Sequence, residues 1–264
     1  MSNFSKIPNR TKIIASIAIF SALYAVLRIM QAIPMIGVQG GSFSLSDILA
    51  PLYGIILGPY VGGASVILGT FLGIAMGKPI VFLGLDFLPA AVNAIALGFL
   101  VRRKWAPVVV LNVALLAAFL LYPVTSVFVN IPLGNTTISF PFAWLHIVAL
   151  IVLISPLGRK AGQWIETLKP AKITAGLAVA AFIGTMMQHL TGNLLFETVL
   201  AQPIGYIATS AYPGIWSSIF FVYPLERLVL IVLAVVVGAP LVRVLKNSLF
   251  RDEKQLPKSS PPSQ

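Results

Sequence analysis

His189, Asn193 and Glu197 follow one another at intervals of four in an otherwise apolar stretch, with Gln188 beside them. At 3.6 residues per turn that spacing puts the three on one helical face. Polar and ionisable groups at membrane depth are costly to bury, and they tend to mark pathways and pockets. Asp86 and Asn93 are of the same kind, as are Trp216, Tyr223, Glu226 and Arg227 near the end of the chain. Carboxylates, amides, an imidazole and a guanidinium set among aromatic rings can hold a small polar molecule by a few directed hydrogen bonds and ring contacts. Asp86, Asn93, His189, Asn193, Glu197, Trp216, Tyr223, Glu226 and Arg227 are therefore candidates for substrate binding. The competing reading is a set of buried ion pairs, such as Glu226 with Arg227, plus an interfacial aromatic belt.

Bond-making chemistry is not expected. The chain has neither G-x-x-x-x-G-K-[ST] nor H-E-x-x-H, it has no cysteine, and its two histidines, His146 and His189, lie in separate segments. No catalytic residue, metal ligand set or cofactor is assigned, and any ATP that powers the protein must be bound by another chain.

The elements that position these groups are set by charge. Of 18 Lys/Arg, all but Arg28, Lys78 and Arg227 fall into five clusters, at 6–12, 102–104, 159–172, 243–246 and 251–258. Hydrophobic residues make up 58% of the chain and charged residues only 9%, against roughly 25% charged in a soluble domain. The fold class is therefore an all-α polytopic membrane bundle. The net charge of +11 is spread over helix-flanking groups and forms no continuous basic face, which excludes a nucleic-acid partner. Apolar segments at 12–32, 47–57, 59–77, 86–101, 106–129, 140–157, 172–200 and 215–246 give about eight transmembrane segments. Basic clusters stay on the cytoplasmic side, so both termini are expected inside and loops 33–46, 78–85, 130–139 and 201–214 outside.

Finer features follow along the chain. Residues 1–11 form a cytoplasmic amino-terminal segment, 12–250 one transmembrane domain, and 251–264 a disordered cytoplasmic tail. Segment 47–57 is short, and the Gly58-Pro59 turn can end inside the protein. Ser46 or Asp47 caps it. Gly54/Gly58 and Gly69/Gly73/Gly77 predict a tightly packed hairpin. Pro224 breaks or kinks the last segment. Residues 158–170 read as an interfacial helix or a plain connector, and Asn135-Thr-Thr137 as a glycosylation site or a turn. Ala18/Ala22 and Ser21/Ala25 are small pairs one turn apart that let a second helix approach, either from a partner or within the bundle.

Together these motifs resemble the substrate-binding S component of energy-coupling-factor (ECF) vitamin transporters. The residues that carry the resemblance are Ala18-x-x-x-Ala22 with Ala25, the segment Asp47-Ile-Leu-Ala-Pro-Leu-Tyr-Gly that runs on to Leu57-Gly58-Pro59-Tyr60-Val61-Gly62, and Tyr223-Pro224-Leu225-Glu226-Arg227 before the basic end of the last helix. The resemblance covers 12–101 well and 172–247 loosely. It implies a protein of the cell membrane that captures a vitamin or other small water-soluble nutrient from outside. The nutrient would pass through a transmembrane T component driven by two cytoplasmic ATPase subunits, with Ala18, Ala22 and Ala25 as the partner interface and loop 33–46 as the gate. S components have six helices, so 106–157 is read as an inserted pair. The alternative function is a self-sufficient proton-coupled secondary transporter, with Asp86, Glu197 or His189 as proton relays.

Overall fold

A computed structural model describes residues 10–167, 169–201 and 204–248 of the chain. Nine α-helices are present among them: α1 (Arg10–Ile29), α2 (Leu49–Leu57), α3 (Pro59–Ala75), α4 (Leu88–Val101), α5 (Trp105–Leu120), α6 (Trp144–Ile154), α7 (Pro156–Glu166), α8 (Pro170–Ala201) and α9 (Tyr212–Ser248). Two antiparallel hairpins complete the fold, one formed by β1 (Gln31–Pro34) and β2 (Ser42–Ser44), the other by β3 (Phe128–Leu133) and β4 (Thr136–Pro141). The tail 251–264 and Lys6 lie outside the described residues.

The bundle is an all-α membrane fold with α8 at its centre, packed against α4, α9, α7, α6 and α5. Helices α1, α8 and α9 are each long and apolar enough to cross a bilayer, and α6 with α7 forms a further pair bent by 66°. The other apolar helical stretches, Leu45–Leu57, Pro59–Ala75, Leu85–Val101 and Trp105–Leu120, are shorter. At 1.5 Å per residue, 17 residues reach only about 25 Å, against a hydrocarbon core of about 30 Å. All eight apolar segments thus contain helix, but only three of them, those of α1, α8 and α9, meet the spanning criterion alone.

Glycines let the first four helices close on one another. A Cβ on Gly54 would collide with the Ala94 carbonyl, and one on Gly62 would sit 2.5 Å from the Tyr53 carbonyl. On Gly69 it would meet Ser21 O and Tyr24 Cβ at 2.8 Å, so α3 lies directly on α1. Gly77 takes no part in this packing: it has open space around it and φ +102°, and it serves the turn after α3.

Four local expectations are corrected. The cap is Ser44, ahead of the 3-10 turn Leu45–Ile48 that leads into α2; its N–H donates to the Asp47 carboxylate at 3.1 Å, so Asp47 reaches back three residues instead of capping from its own position. Helix α5 stops at Leu120, nine residues early, because Thr125 Oγ1 satisfies the freed Phe119 carbonyl at 2.7 Å and the β-branched residues beyond enter β3. Loop 130–139 is mostly strand, with Asn135 at the hairpin tip. Helix α9 runs unbroken through Pro224 and Pro240, as membrane helices tolerate when their surroundings re-satisfy the freed carbonyls.

The stretch at 158–170 is helical over most of its length. In α7, Gly158, Ala161, Gly162 and Ile165 are buried while Arg159, Lys160 and Gln163 are exposed, the amphipathic pattern of a helix lying on a surface. The structure also brings two of the basic clusters, 102–104 and 159–172, together at one end. Arg103 pairs with Glu166 at 3.3 Å, the Arg159 guanidinium lies 4.5 Å from the Trp105 ring, and Arg102 donates to the carbonyls of Gly98 and Gly54 beside the Gly58 turn. At the opposite end the loops meet each other: Lys78 donates to Ser42, and the Gln39 N–H donates to Tyr206 Oη at 3.2 Å.

Candidate functional site

At that opposite end a cavity opens between α1, the β1–β2 hairpin, the 78–86 loop, α4, α8 and α9. The empty space within it, counted out through its mouth into open solvent, is about 990 Å³. Its apolar and aromatic walls include Met35, Phe43, Phe82, Phe196, Ile219 and Tyr223. Arg28, Lys78 and Arg227, the three basic residues outside the five clusters, all line it. Basic residues that do not flank the helices on the clustered side are thus spent on one site.

A polar relay fixes the hairpin over the cavity. Asn93 Nδ2 on α4 donates to Gln188 Oε1 on α8 at 2.7 Å, and Gln188 Nε2 donates to Asp47 Oδ1, also at 2.7 Å. The other Asp47 oxygen accepts from Ser44 N–H, at the end of β2. Asp86 accepts from the backbone N–H groups of Val81 and Phe82 at 2.9 and 3.1 Å. Lys78 Nζ donates to Ser42 O at 3.1 Å and Ser42 Oγ at 2.7 Å. Burial, with Arg28 nearby, lowers the Lys78 ammonium from its ordinary range, against the opposing pull of Asp47 and Asp86.

Two of the acids are therefore occupied by the protein itself, and several donors are not. The Nε atoms of Arg28 and Arg227 and the Nδ2 of Asn193 are buried without a partner. Arg227 has only its sequence neighbour Glu226, at 3.4 Å, and it lies 5.5 Å from the Phe43 ring. Orphaned buried donors are expensive, and these three belong to residues that line the cavity.

Of the nine candidates, Asp86, His189, Asn193, Tyr223, Glu226 and Arg227 line the cavity. Asn93 sits one layer behind, at the start of the relay. Trp216 is fully enclosed, its Nε1–H donating to Val124 O at 3.0 Å. Glu197 is also fully enclosed and faces Thr125. Thr125 Oγ1 lies 2.7 Å from both Glu197 Oε2 and Phe119 O. One hydroxyl supplies one hydrogen, so the second must come from the carboxyl, and Glu197 is a neutral acid that pins loop 121–127. The spacing of four misplaced it, because each such step turns about 40° around the helix and two steps carry Glu197 off the cavity face.

The cavity also uses Arg28, Ser42, Phe43, Asp47, Lys78 and Gln188. Asp47, Lys78, Arg28 and Gln188 stand out in the sequence as polar groups at membrane depth, whereas Ser42 and Phe43 carry no such signal.

The model of a family described as ECF-type riboflavin transporter, S component, matches residues 8–109. That span is less than half of the chain, and over it the sequence is similar to S components of the ECF type. The match takes in α1 to α4 and the start of α5, so the cavity residues on α8 and α9 lie beyond it. No curated protein and no solved structure gave a match.

For the partner interface, Ala18 and Ala22 are exposed on α1 while Ala25 is 2% exposed. Ala25 lies on the face of α1 that is buried with Ser21, Tyr24 and Arg28, where α3 and the single turn Leu45–Ile48 pack against the helix. Ala18 and Ala22 thus lie on the open face of α1, flanked by exposed Ile14, Ile19, Leu23 and Val26.

Proposed function

We propose that the chain is an S component of the ECF type, that it captures riboflavin or a close chemical relative in the cavity at the loop end of the bundle, and that this end faces the outside of the cell membrane. His189, Asn193, Tyr223, Arg227, Glu226 and Asp86 are its ligand contacts in this reading, with Arg28 and Lys78 completing the polar rim. The supporting observation is that every basic residue outside the helix-flanking clusters lines one cavity, beside orphaned buried donors. A planar ring system bearing carbonyl oxygens suits aromatic walls and unpaired donors together.

Release into the cell is assigned to a transmembrane T component with two ATPase subunits. It would dock on the open face of α1 at Ala18 and Ala22, while the β1–β2 hairpin acts as the gate. The helix pair at 106–157 is an addition to the six-helix plan. Mass spectrometry of small molecules retained by the purified protein tests the cargo. A retained flavin is the expected result, and retention of an unrelated compound would overturn the riboflavin assignment.

A further inference from the structure

His146 lies outside the cavity, on α6, and 2% of it is exposed. Its Nε2 is 3.1 Å from His189 Nδ1, and the two rings are 11° from coplanar. This is an edge-to-edge contact between imidazoles, which in the neutral pair contains a single hydrogen. Tyr223 lies beside both rings, with centroids 5.6 Å and 5.0 Å away, and its hydroxyl donates to Phe142 O at 3.0 Å. That leaves the Tyr223 hydroxyl hydrogen unavailable to the histidines. His146 Nδ1 is buried and has no partner.

Two arrangements of the shared hydrogen are available. If His189 Nδ1 donates, His146 must carry its own hydrogen on Nδ1, which is a buried N–H with no acceptor. If His146 Nε2 donates, Nδ1 is left as a bare lone pair. Buried donors without partners are rarer than under-satisfied acceptors, so the second arrangement holds. His189 then carries its hydrogen on Nε2, the ring nitrogen left for a ligand, since Nδ1 is engaged and the ring lines the cavity.

We infer that His146 is a positioning residue: it fixes His189 as a hydrogen-bond donor toward the cavity and so selects ligands that present an acceptor oxygen there. This rests on the cavity being the ligand site, and it gives α6, which lies beyond the matched family region, a part in specificity.

The chain has only two histidines, so the ring nitrogens can be followed by 15N NMR of the histidine-labelled full chain in nanodiscs, without ligand. Both rings are expected to carry hydrogen on Nε2. In His146→Gln, whose amide can still donate, His189 should keep that form, whereas in His146→Phe it should become a mixture of tautomers. Riboflavin affinity, measured on the same samples, should fall about tenfold or more in His146→Phe and recover in His146→Gln. Hydrogen on His189 Nδ1 in the wild type, or a His189 pattern unchanged in His146→Phe, overturns the inference whatever the ligand proves to be. If wild-type protein shows no riboflavin binding, the cargo assignment fails, and the ligand-free spectra still decide the role of His146.

Discussion

The amide of Asn193 has a buried Nδ2 with no acceptor in the protein, so a ligand reaching it gains a hydrogen bond to a donor that is already desolvated. Asn193→Ala should weaken riboflavin binding by about 1–2 kcal/mol, roughly five- to thirtyfold, read by titration of flavin fluorescence. Unchanged affinity would remove Asn193 from the contact set. Glu197 makes the opposite case, a carboxyl whose proton completes a hydrogen-bond chain to Thr125 and Phe119. Glu197→Gln keeps a donor at that position and should leave both thermal stability and riboflavin affinity close to wild type. Glu197→Ala leaves a gap and an unpinned loop, and should cost about 1–3 kcal/mol of stability. Melting in detergent distinguishes the two, and equal losses would mean that the carboxylate, not the acid, is the native form.

Among the elements, the α2–α3 hairpin is the part most sensitive to a single methyl group. Gly54 faces the backbone of Ala94, which cannot move aside as a side-chain tip can. Gly54→Ala should therefore destabilise the bundle by about 2 kcal/mol or more, seen as a lower melting temperature of the purified protein. Gly77→Ala meets no atom but forces an alanine to φ +102°, so its smaller cost is conformational. This hairpin was legible in the sequence because glycines four apart in an apolar run have few other uses, and the helical segments were legible because basic clusters bracket them. The β1–β2 hairpin over the cavity and the relay from Asn93 through Gln188 to Asp47 were not. They depend on residues up to 141 positions apart in the chain, and local periodicity says nothing about which polar groups meet. The ends of α5 and the continuity of α9 were misjudged for a related reason: a side-chain bond from Thr125 stops the one, and Pro224 alone does not stop the other.

At the scale of the whole molecule the two ends differ in kind. One gathers Arg102, Arg103 and Arg159 around Trp105 and Glu166, and the other gathers loops over a cavity. The positive-inside rule places the first in the cytoplasm. The chain lacks cysteine, so single-cysteine variants give a clean readout: Thr137→Cys should react with a membrane-impermeant maleimide in intact cells, and Lys104→Cys should not. The reverse pattern would invert the bundle and close the cavity to external cargo. Capture itself is tested most directly by equilibrium titration of purified protein with riboflavin, alongside Asn193→Ala and Arg227→Gln. The account predicts saturable binding of one riboflavin per chain that both substitutions weaken. Saturable binding that neither substitution changes would contradict the placement of the site, and no binding to folded wild-type protein would contradict the cargo.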